Sequence, residues 1–244
     1  MEHIFGVSNT TFFRFPHTPH LAWLGEGRPR DDKVLAPHDA RELLSHEVVV
    51  EEKIDGANLG FSVDEHGALL AQNRGTYLSL SLEGGHGQWK PLKRWLAPRA
   101  KDLAEALFPD LMLFGEWCYA VHSVRYTRLP AWFIMFDVYD RVNGQFWSVA
   151  RRDALASTLG LAVAPRLGAG RFDLPQLEAL LGNSRLADGP AEGLYIRRDV
   201  GEHLVARAKL VRGEFVQTID EHWSKKALVP NALQGDAGGE GSWR

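Results

Sequence analysis

The stretch Val48-Val49-Val50-Glu51-Glu52-Lys53-Ile54-Asp55-Gly56-Ala57-Asn58 decides how this chain reads. Three consecutive β-branched residues open a strand that runs toward Lys53. Gly56 marks a tight turn, with the backbone freedom such a turn needs. A second apolar run, Asn58 to Val63, leaves the turn at once. It pairs with Ala68 to Asn73 across Asp64-Glu65-His66-Gly67. A lysine at a strand end is usually a solvated charge. This one is flanked by apolar strands on both sides. In a pocket shared with other cations its pKa is expected to be lowered, which would make its amine a nucleophile near neutral pH.

Outward from this turn the pattern alternates irregularly. Asp39 is placed to cap a short helix through Leu44. Leu92 to Leu107 is helical with a break near Pro98. Leu111 to Tyr119 and Trp132 to Tyr139 are aromatic-rich strands. Ser148 caps a helix ending at Gly160, and Asp173 with Gln176 has capping-box spacing before a helix ending at Gly182. Gly193 to Arg198 and His203 to Val211 form a hairpin pair, and Glu214 to Ala227 is a final amphipathic helix. Strands dominate and helices intersperse, which predicts an α+β fold with largely antiparallel sheets and flanking helices. Pro16, Pro19, Pro29 and Pro37 predict an irregular N-terminal arm. Residues 231–244 are expected to form a disordered tail, with 1–230 as one domain.

Composition narrows the classes. The 244 residues are 45% hydrophobic and 24% charged, which excludes disorder of the whole chain. The lone Cys118 excludes an intramolecular disulfide and a cysteine-based zinc site, and suits a cytoplasmic protein. No run approaches a membrane span, and no basic leader precedes an apolar run at Met1. The net charge of −3 argues against general electrostatic coating of nucleic acid. Local basic clusters remain: Arg28/Arg30, Lys90 to Lys101, Arg197/Arg198, Arg207/Lys209/Arg212 and Lys225/Lys226. Each is read either as a solvated face or as a phosphate contact.

Lys53-Ile54-Asp55-Gly56 resembles the KxDG signature of covalent nucleotidyltransferases, the superfamily of ATP-dependent DNA and RNA ligases and mRNA capping enzymes. The tetrapeptide alone is weak. The ordered set is specific: Arg74-Gly75, Phe114-Gly115-Glu116-Trp117, the run Phe133 to Tyr139, Glu192 to Ile196, and Ala206 to Val211 resemble the family's successive motifs. Within the superfamily the chain resembles RNA ligases of the RNA-ligase-2-like branch, in the form KIDGAN, in Gly115-Glu116-Trp117 followed by Tyr119 and His122, and in Glu221 to Lys226. That branch commonly carries Lys-x-Lys where this chain has Arg207-x-Lys209. The stretch after Lys209 is too short for an OB domain, so the resemblance implies a minimal nucleotidyltransferase (adenylation) domain closed by a C-terminal helical segment.

The resemblance implies that Lys53 attacks the α-phosphate of ATP and becomes lysyl-AMP. AMP then passes to an RNA 5′-phosphate, and a 3′-hydroxyl displaces it. Arg207 and Lys209 lie two apart on a strand, on one face with Val205 and Val211, and would flank the α-phosphate. Arg74 would meet the AMP phosphate or the RNA 5′-phosphate, and Asn58 reaches toward the phosphate. Glu116 would hold the ribose hydroxyls, and Glu192 would serve Mg²⁺ or Mn²⁺. Phe136 is either an adenine stack or a core aromatic. Glu52 and Ile54 would read the adenine edge through their main chain. Asp55 either orders metal-bound waters or braces the turn, and Asp137 orients polar neighbours. His122, Tyr126 and Arg128 lie in a segment expected near RNA. Trp89 and Trp117 are either core or stacking platforms.

The expected activity is sealing of 3′-OH/5′-phosphate RNA ends, with nicks in duplexes preferred, in RNA repair. This leaves room for an end-healing kinase/phosphatase as partner, and no membrane association is expected. The rivals are an ATP-dependent DNA ligase, a capping guanylyltransferase, and a catalytically silent nucleic-acid-binding module of ligase descent. The missing OB domain weighs against the first two. Intact Lys53, Glu116, Glu192 and Lys209 weigh against the third.

Overall fold

The computed structural model describes residues 12–27, 33–79, 87–217 and 228–235. In chain order the elements are α1 (Pro37–Leu44), β1 (Val48–Lys53), β2 (Ala57–Val63), β3 (Leu69–Gln72), α2 (Leu92–Leu96), α3 (Ala100–Leu107), β4 (Leu111–Trp117), β5 (Phe133–Asp140), β6 (Gln145–Phe146), α4 (Val149–Leu159), β7 (Ala162–Val163), β8 (Arg166–Gly170), α5 (Leu174–Leu180), β9 (Gly193–Val200), β10 (His203–Val211) and α6 (Gly213–Gln217). They build two sheets. One runs β10-β9-β1-β8 and the other β3-β2-β4-β5-β6, all antiparallel, with β7 added parallel to β5. The expected α+β class and antiparallel sheets hold.

Local chemistry explains the helix ends. Ser148 accepts from the Arg151 N–H at the start of α4, and left-handed Gly160 ends it. Asp173 and Gln176 form the reciprocal capping box of α5. Asp39 does not cap α1: Pro37 starts that helix, and Asp39 sits in its first turn. The final helix is described only over Gly213–Gln217, and the expected remainder, with Lys225 and Lys226, lies outside the described residues.

Each sheet has its own core. Phe61, Trp95, Trp117 and Phe133 pack with α2 and α3 beneath the β4 sheet. Val48, Val50, Leu194, Ile196 and Leu210 pack with Leu177 of α5 beneath the other. Lys53 to Ala57 carries the chain from one sheet to the other. Gly56 is needed there for space and not for a left-handed backbone. A Cβ would lie 3.0 Å from the Trp117 carbonyl and 3.1 Å from the Glu116 Cβ. Gly115 likewise leaves room for the Phe133 ring, where β4 shifts register against β5.

Residues 231–233, expected to belong to a disordered tail, are packed against the domain. Asn231 is buried, its amide donates to the Cys118 and Ala120 carbonyls, and its Oδ1 accepts from the Tyr126 N–H. Leu233 is buried as well, so residues 231–233 pin the loop after β4.

Candidate active site

A cavity of about 580 Å³ opens between the two sheets. It is lined by Glu52, Lys53, Ile54, Asn58, Arg74, Glu116, Phe136, Glu192 and Lys209, together with His17, Thr18, His20, Gln88, Trp89, His122 and Tyr195. The fold therefore collects the expected residues from β1, β2, β4, β5 and β10, and from the segments beside β3 and β9, into one space, Arg207 excepted.

Lys53 ends β1 and reaches into the cavity, where its Nζ donates to Glu192 Oε2 at 2.6 Å. Burial works against the Lys53 ammonium, but the Glu192, Glu116 and Asp55 carboxylates outweigh it and raise its pKa. This corrects the expectation of a lowered pKa. Carboxylates, not cations, are the strongest charges acting on it. The depressed lysine is Lys209, held at about 8 by burial and by the positive charges of Lys53, Arg74 and Lys33.

Glu116 on β4 faces Asn58 on β2 across the register. Neither is satisfied: Glu116 Oε2 and Asn58 Oδ1 are buried without partners. Burial raises the Glu116 carboxyl to about 8, with Glu192 adding to the rise and Lys53 opposing it. Two orphaned acceptors side by side in a polar cavity are costly unless a ligand meets them.

Several expected roles change. Arg207 does not line the cavity. It donates to Asp137 Oδ2 at 2.8 Å and lies over the Phe15 and Phe146 rings. The expected alternation on β10 also breaks above it, because the register shifts between Leu204 and Ala206 and leaves Val205 half-exposed. The Glu52 N–H is already committed to the Pro165 carbonyl, and its carboxylate accepts from Ser184 Oγ at 2.5 Å and the Arg185 N–H at 2.8 Å. Its main-chain donor is thus not open to an adenine edge. Asp55 braces the turn, accepting from the Ser123 and Val124 N–H groups at 2.6 and 2.8 Å while its own N–H donates to Tyr126 Oη. Tyr126 is buried, and Arg128 is tied to Asp188 and the Ala187 carbonyl. His122 reaches the cavity and shares a hydrogen bond with Gln88 Oε1. Trp117 is core, its Nε1 donating to the Gln88 carbonyl, whereas Trp89 lines the cavity.

Behind the cavity wall lies a lattice of buried ion pairs. Glu51 receives two bonds from Arg152, at 2.9 and 2.5 Å. Asp137 is paired with both Arg197 and Arg207. Arg152 and Arg197 each donate to the Phe136 carbonyl at 2.9 Å. This lattice joins β1, β5, β9, β10 and α4, and it fixes Phe136 at the cavity wall.

The sequence reading missed His17, Thr18, His20 and Tyr195. The first three come from the irregular arm, where no periodicity points to a pocket. The only trace was a pair of histidines around Pro19.

A family model described as RNA ligase matches residues 46–211. The chain belongs to the RNA ligase family. Solved RNA ligases from Naegleria gruberi share its fold. A variant with ATP and Mn superposes with a TM-score of 0.60 at 19% identity, covering 87% of this chain and 60% of that one. The enzyme with PPi gives 0.58 at 18%, covering 86% and 64%. A variant with AMP and Mn gives 0.56 at 17%, covering 85% and 64%. The chain thus spans about three fifths of the length of the RNA ligases it matches. A search of curated proteins found no match.

Proposed function

We propose that this RNA ligase is ATP-dependent and joins RNA ends through an AMP adduct on Lys53. The observation that carries the reading is the Lys53 amine in a cavity that also holds Lys209, Arg74 and the unsatisfied Glu116 and Asn58 side chains. Membership of the family and the nucleotides in the neighbouring structures support it.

In the first step Lys53 Nζ attacks the α-phosphorus. The N–P bond forms, the bond to the pyrophosphate oxygen breaks, and pyrophosphate leaves with the electron pair. Lys53 must first lose the proton it shares with Glu192. Glu192 Oε2, 2.6 Å from Nζ, is placed to take that proton, while Lys209 and Arg74 offset the phosphate charge that would otherwise hold it on the amine. In the second step an RNA 5′-phosphate oxygen attacks the same phosphorus, and the protonated Lys53 amine departs. In the third a 3′-hydroxyl attacks the 5′-phosphate and AMP leaves. Cations held in place supply most of the help such transfers need. The protonated Glu116 carboxyl and the Asn58 amide suit ribose hydroxyls, and Phe136 offers a ring to the base.

Among the described residues no three metal-ligating side chains converge. Glu192 alone suits an ion such as Mg²⁺ or Mn²⁺ that keeps most of its waters and binds phosphate oxygens. Such an ion would screen phosphate charge.

RNA is proposed to lie across the cavity mouth, with the basic stretch Lys90 to Lys101 as a phosphate track. Nick sealing in RNA repair, alongside an end-healing kinase/phosphatase, is part of the proposal. A cytoplasmic setting rests on the lone buried Cys118. No helix among the described residues is long and apolar enough to cross a membrane.

The test is incubation with α-labelled ATP and Mg²⁺ or Mn²⁺, followed by a panel of nicked duplexes that differ only in the sugars at the junction. Label should stay on the denatured protein, and nicks with RNA on the 3′-OH side should seal. Lys53→Arg should not label, since a guanidinium stays protonated. Equal sealing of an all-DNA nick would favour the DNA-ligase alternative, and a lack of label would favour the silent module.

A further inference from the structure

Residues 12–27 take no part in the chemistry above, yet they close one side of the cavity. The arm is stitched to the outer edge of β10. The Lys209 N–H donates to the Pro19 carbonyl at 2.9 Å, and the Leu21 N–H to the Lys209 carbonyl at 2.8 Å. His20 and Lys209 are partners in this parallel bridge, so their side chains leave the backbone on the same face, and both line the cavity. On its other side the arm binds the next segment: the His20 N–H donates to the Lys33 carbonyl at 2.7 Å, and the Leu35 N–H to the His20 carbonyl at 2.8 Å. A ring nitrogen and the Lys209 ammonium are thereby brought to one end of the pocket, and the positive charge of Lys33 acts on both from outside its lining.

This end differs in charge from the Glu116 end. His20 is only 4% exposed, and its Nδ1 is buried without a partner. Its strongest charged neighbours are Lys209, His17, Lys53 and Lys33, and with burial they push its pKa down to about 4. Glu116, by contrast, feels the Glu192 and Asp55 carboxylates as well as Lys53, the charge that acts on it most. One end of the cavity thus gathers carboxylates and carboxyls, which suit hydroxyls. The other gathers cations and an imidazole, which suits an anion of high charge. Neutral imidazole still donates one N–H, so His20 can bind phosphate oxygen without being ionised.

We propose that His20, with His17 at the rim and the positive charge of Lys33 acting on it, forms the subsite for the β- and γ-phosphates of ATP and for the pyrophosphate that leaves. The inference rests on the ligase reading and adds the residues that receive the leaving group. As the bond from the α-phosphorus to the bridging oxygen breaks, the electron pair and the negative charge move onto pyrophosphate. A donor held at that end is of most use at that moment. The arm then serves only the first step, because pyrophosphate is absent from the other two.

Three measurements on the full chain separate this subsite from an RNA 5′-phosphate site and from a purely structural arm. They are calorimetric binding of pyrophosphate to the nucleotide-free protein, adenylylation by ATP, and sealing of a nick whose 5′-strand is already adenylylated. His20→Gln and Lys33→Met should each weaken pyrophosphate binding and slow adenylylation by about tenfold or more, the size of one charge-assisted hydrogen bond. The loss in adenylylation should exceed the loss in sealing by about tenfold. Lys33 is partly exposed, so its variant keeps the test decisive should His20→Gln fold poorly. Equal losses in adenylylation and sealing overturn the proposal, as does unchanged pyrophosphate binding. Loss of pyrophosphate binding in the variants, with no labelling of the wild type by ATP, keeps the anion subsite and removes the ligase reading.

Discussion

Two neighbouring regions of this molecule bury charge in opposite ways. In the lattice, Glu51, Asp137, Arg152, Arg197 and Arg207 are matched with one another and with carbonyls, Arg197 Nε apart, and Glu51 also reaches the cavity wall. In the cavity, Glu116, Asn58 and His20 keep buried atoms with no partner. The two regions interleave along the same strands. Glu51 belongs to the lattice, while Lys53 belongs to the cavity. Asp137 belongs to the lattice, while Phe136 lines the cavity. Arg207 belongs to the lattice, while Lys209, two residues on, enters the cavity. Matched charge holds the two sheets in place, while the cavity keeps neutral polar groups whose buried atoms a ligand could meet. The same residue types serve both ends, and only their partners tell them apart.

The sharpest way to break this comparison is at the lattice. Asp137→Ala strands Arg197 and Arg207 without their shared carboxylate. Removing one partner of a buried pair costs about 3–5 kcal/mol, and for a chain of this size the melting temperature should fall by roughly 6–20 °C. Thermal unfolding checks it. A shift of a degree or two would mean that the lattice contributes little to the fold.

Next comes the pair on β10. Lys209→Ala should slow adenylylation about a hundredfold and leave the melting temperature unchanged or higher, because burial and neighbouring cations, which hold Lys209 at about 8, make its charged form costly. Arg207→Ala should do the reverse, lowering the melting temperature while slowing adenylylation less than Lys209→Ala does. Matching effects from the two variants would erase the distinction between lattice and cavity.

The smallest effect lies in the pH dependence of stability. Glu116 titrates near 8 when folded and near 4.5 when not. The folded state therefore holds a proton that the unfolded chain has released. Its contribution is fully present below about 4.5 and is lost as pH rises through about 8. In nucleotide-free protein, Glu116→Gln should flatten the fall in stability across this window. Denaturant titrations at several pH values would show it, and an unchanged slope would place the proton elsewhere. Lys209 acts in the opposite sense above that window, because stability rises with pH from about 8 to 10.5 as its charge is lost.

The fold was legible where periodicity and capping speak locally. The Val48 strand, the β2–β3 hairpin, Ser148 before α4 and the Asp173 capping box all read directly from residue order. Short β6, β7 and β8 carried too few residues for a pattern, although β8 pairs with the strand that bears Lys53. Most of the cavity lining was legible because its residues sit at strand ends within recognisable motifs. Partners were not. Nothing in Ala206 to Val211 says that Arg207 turns to Asp137 while Lys209 does not, and nothing in Glu52-Lys53 says that Glu192 holds the amine. The arm was illegible for another reason: its place is set by four backbone hydrogen bonds, to Lys33, Leu35 and Lys209.

The central claim is that the unmatched cavity exists to put one AMP on one lysine. Intact-protein mass spectrometry after incubation with ATP and Mg²⁺ or Mn²⁺, followed by peptide mapping, tests it directly. The account predicts a gain of a single AMP moiety, located on the peptide containing Lys53, absent from Lys53→Ala and reversed by added pyrophosphate. An adduct on Lys209, or no adduct in a folded protein that binds ATP, would contradict it.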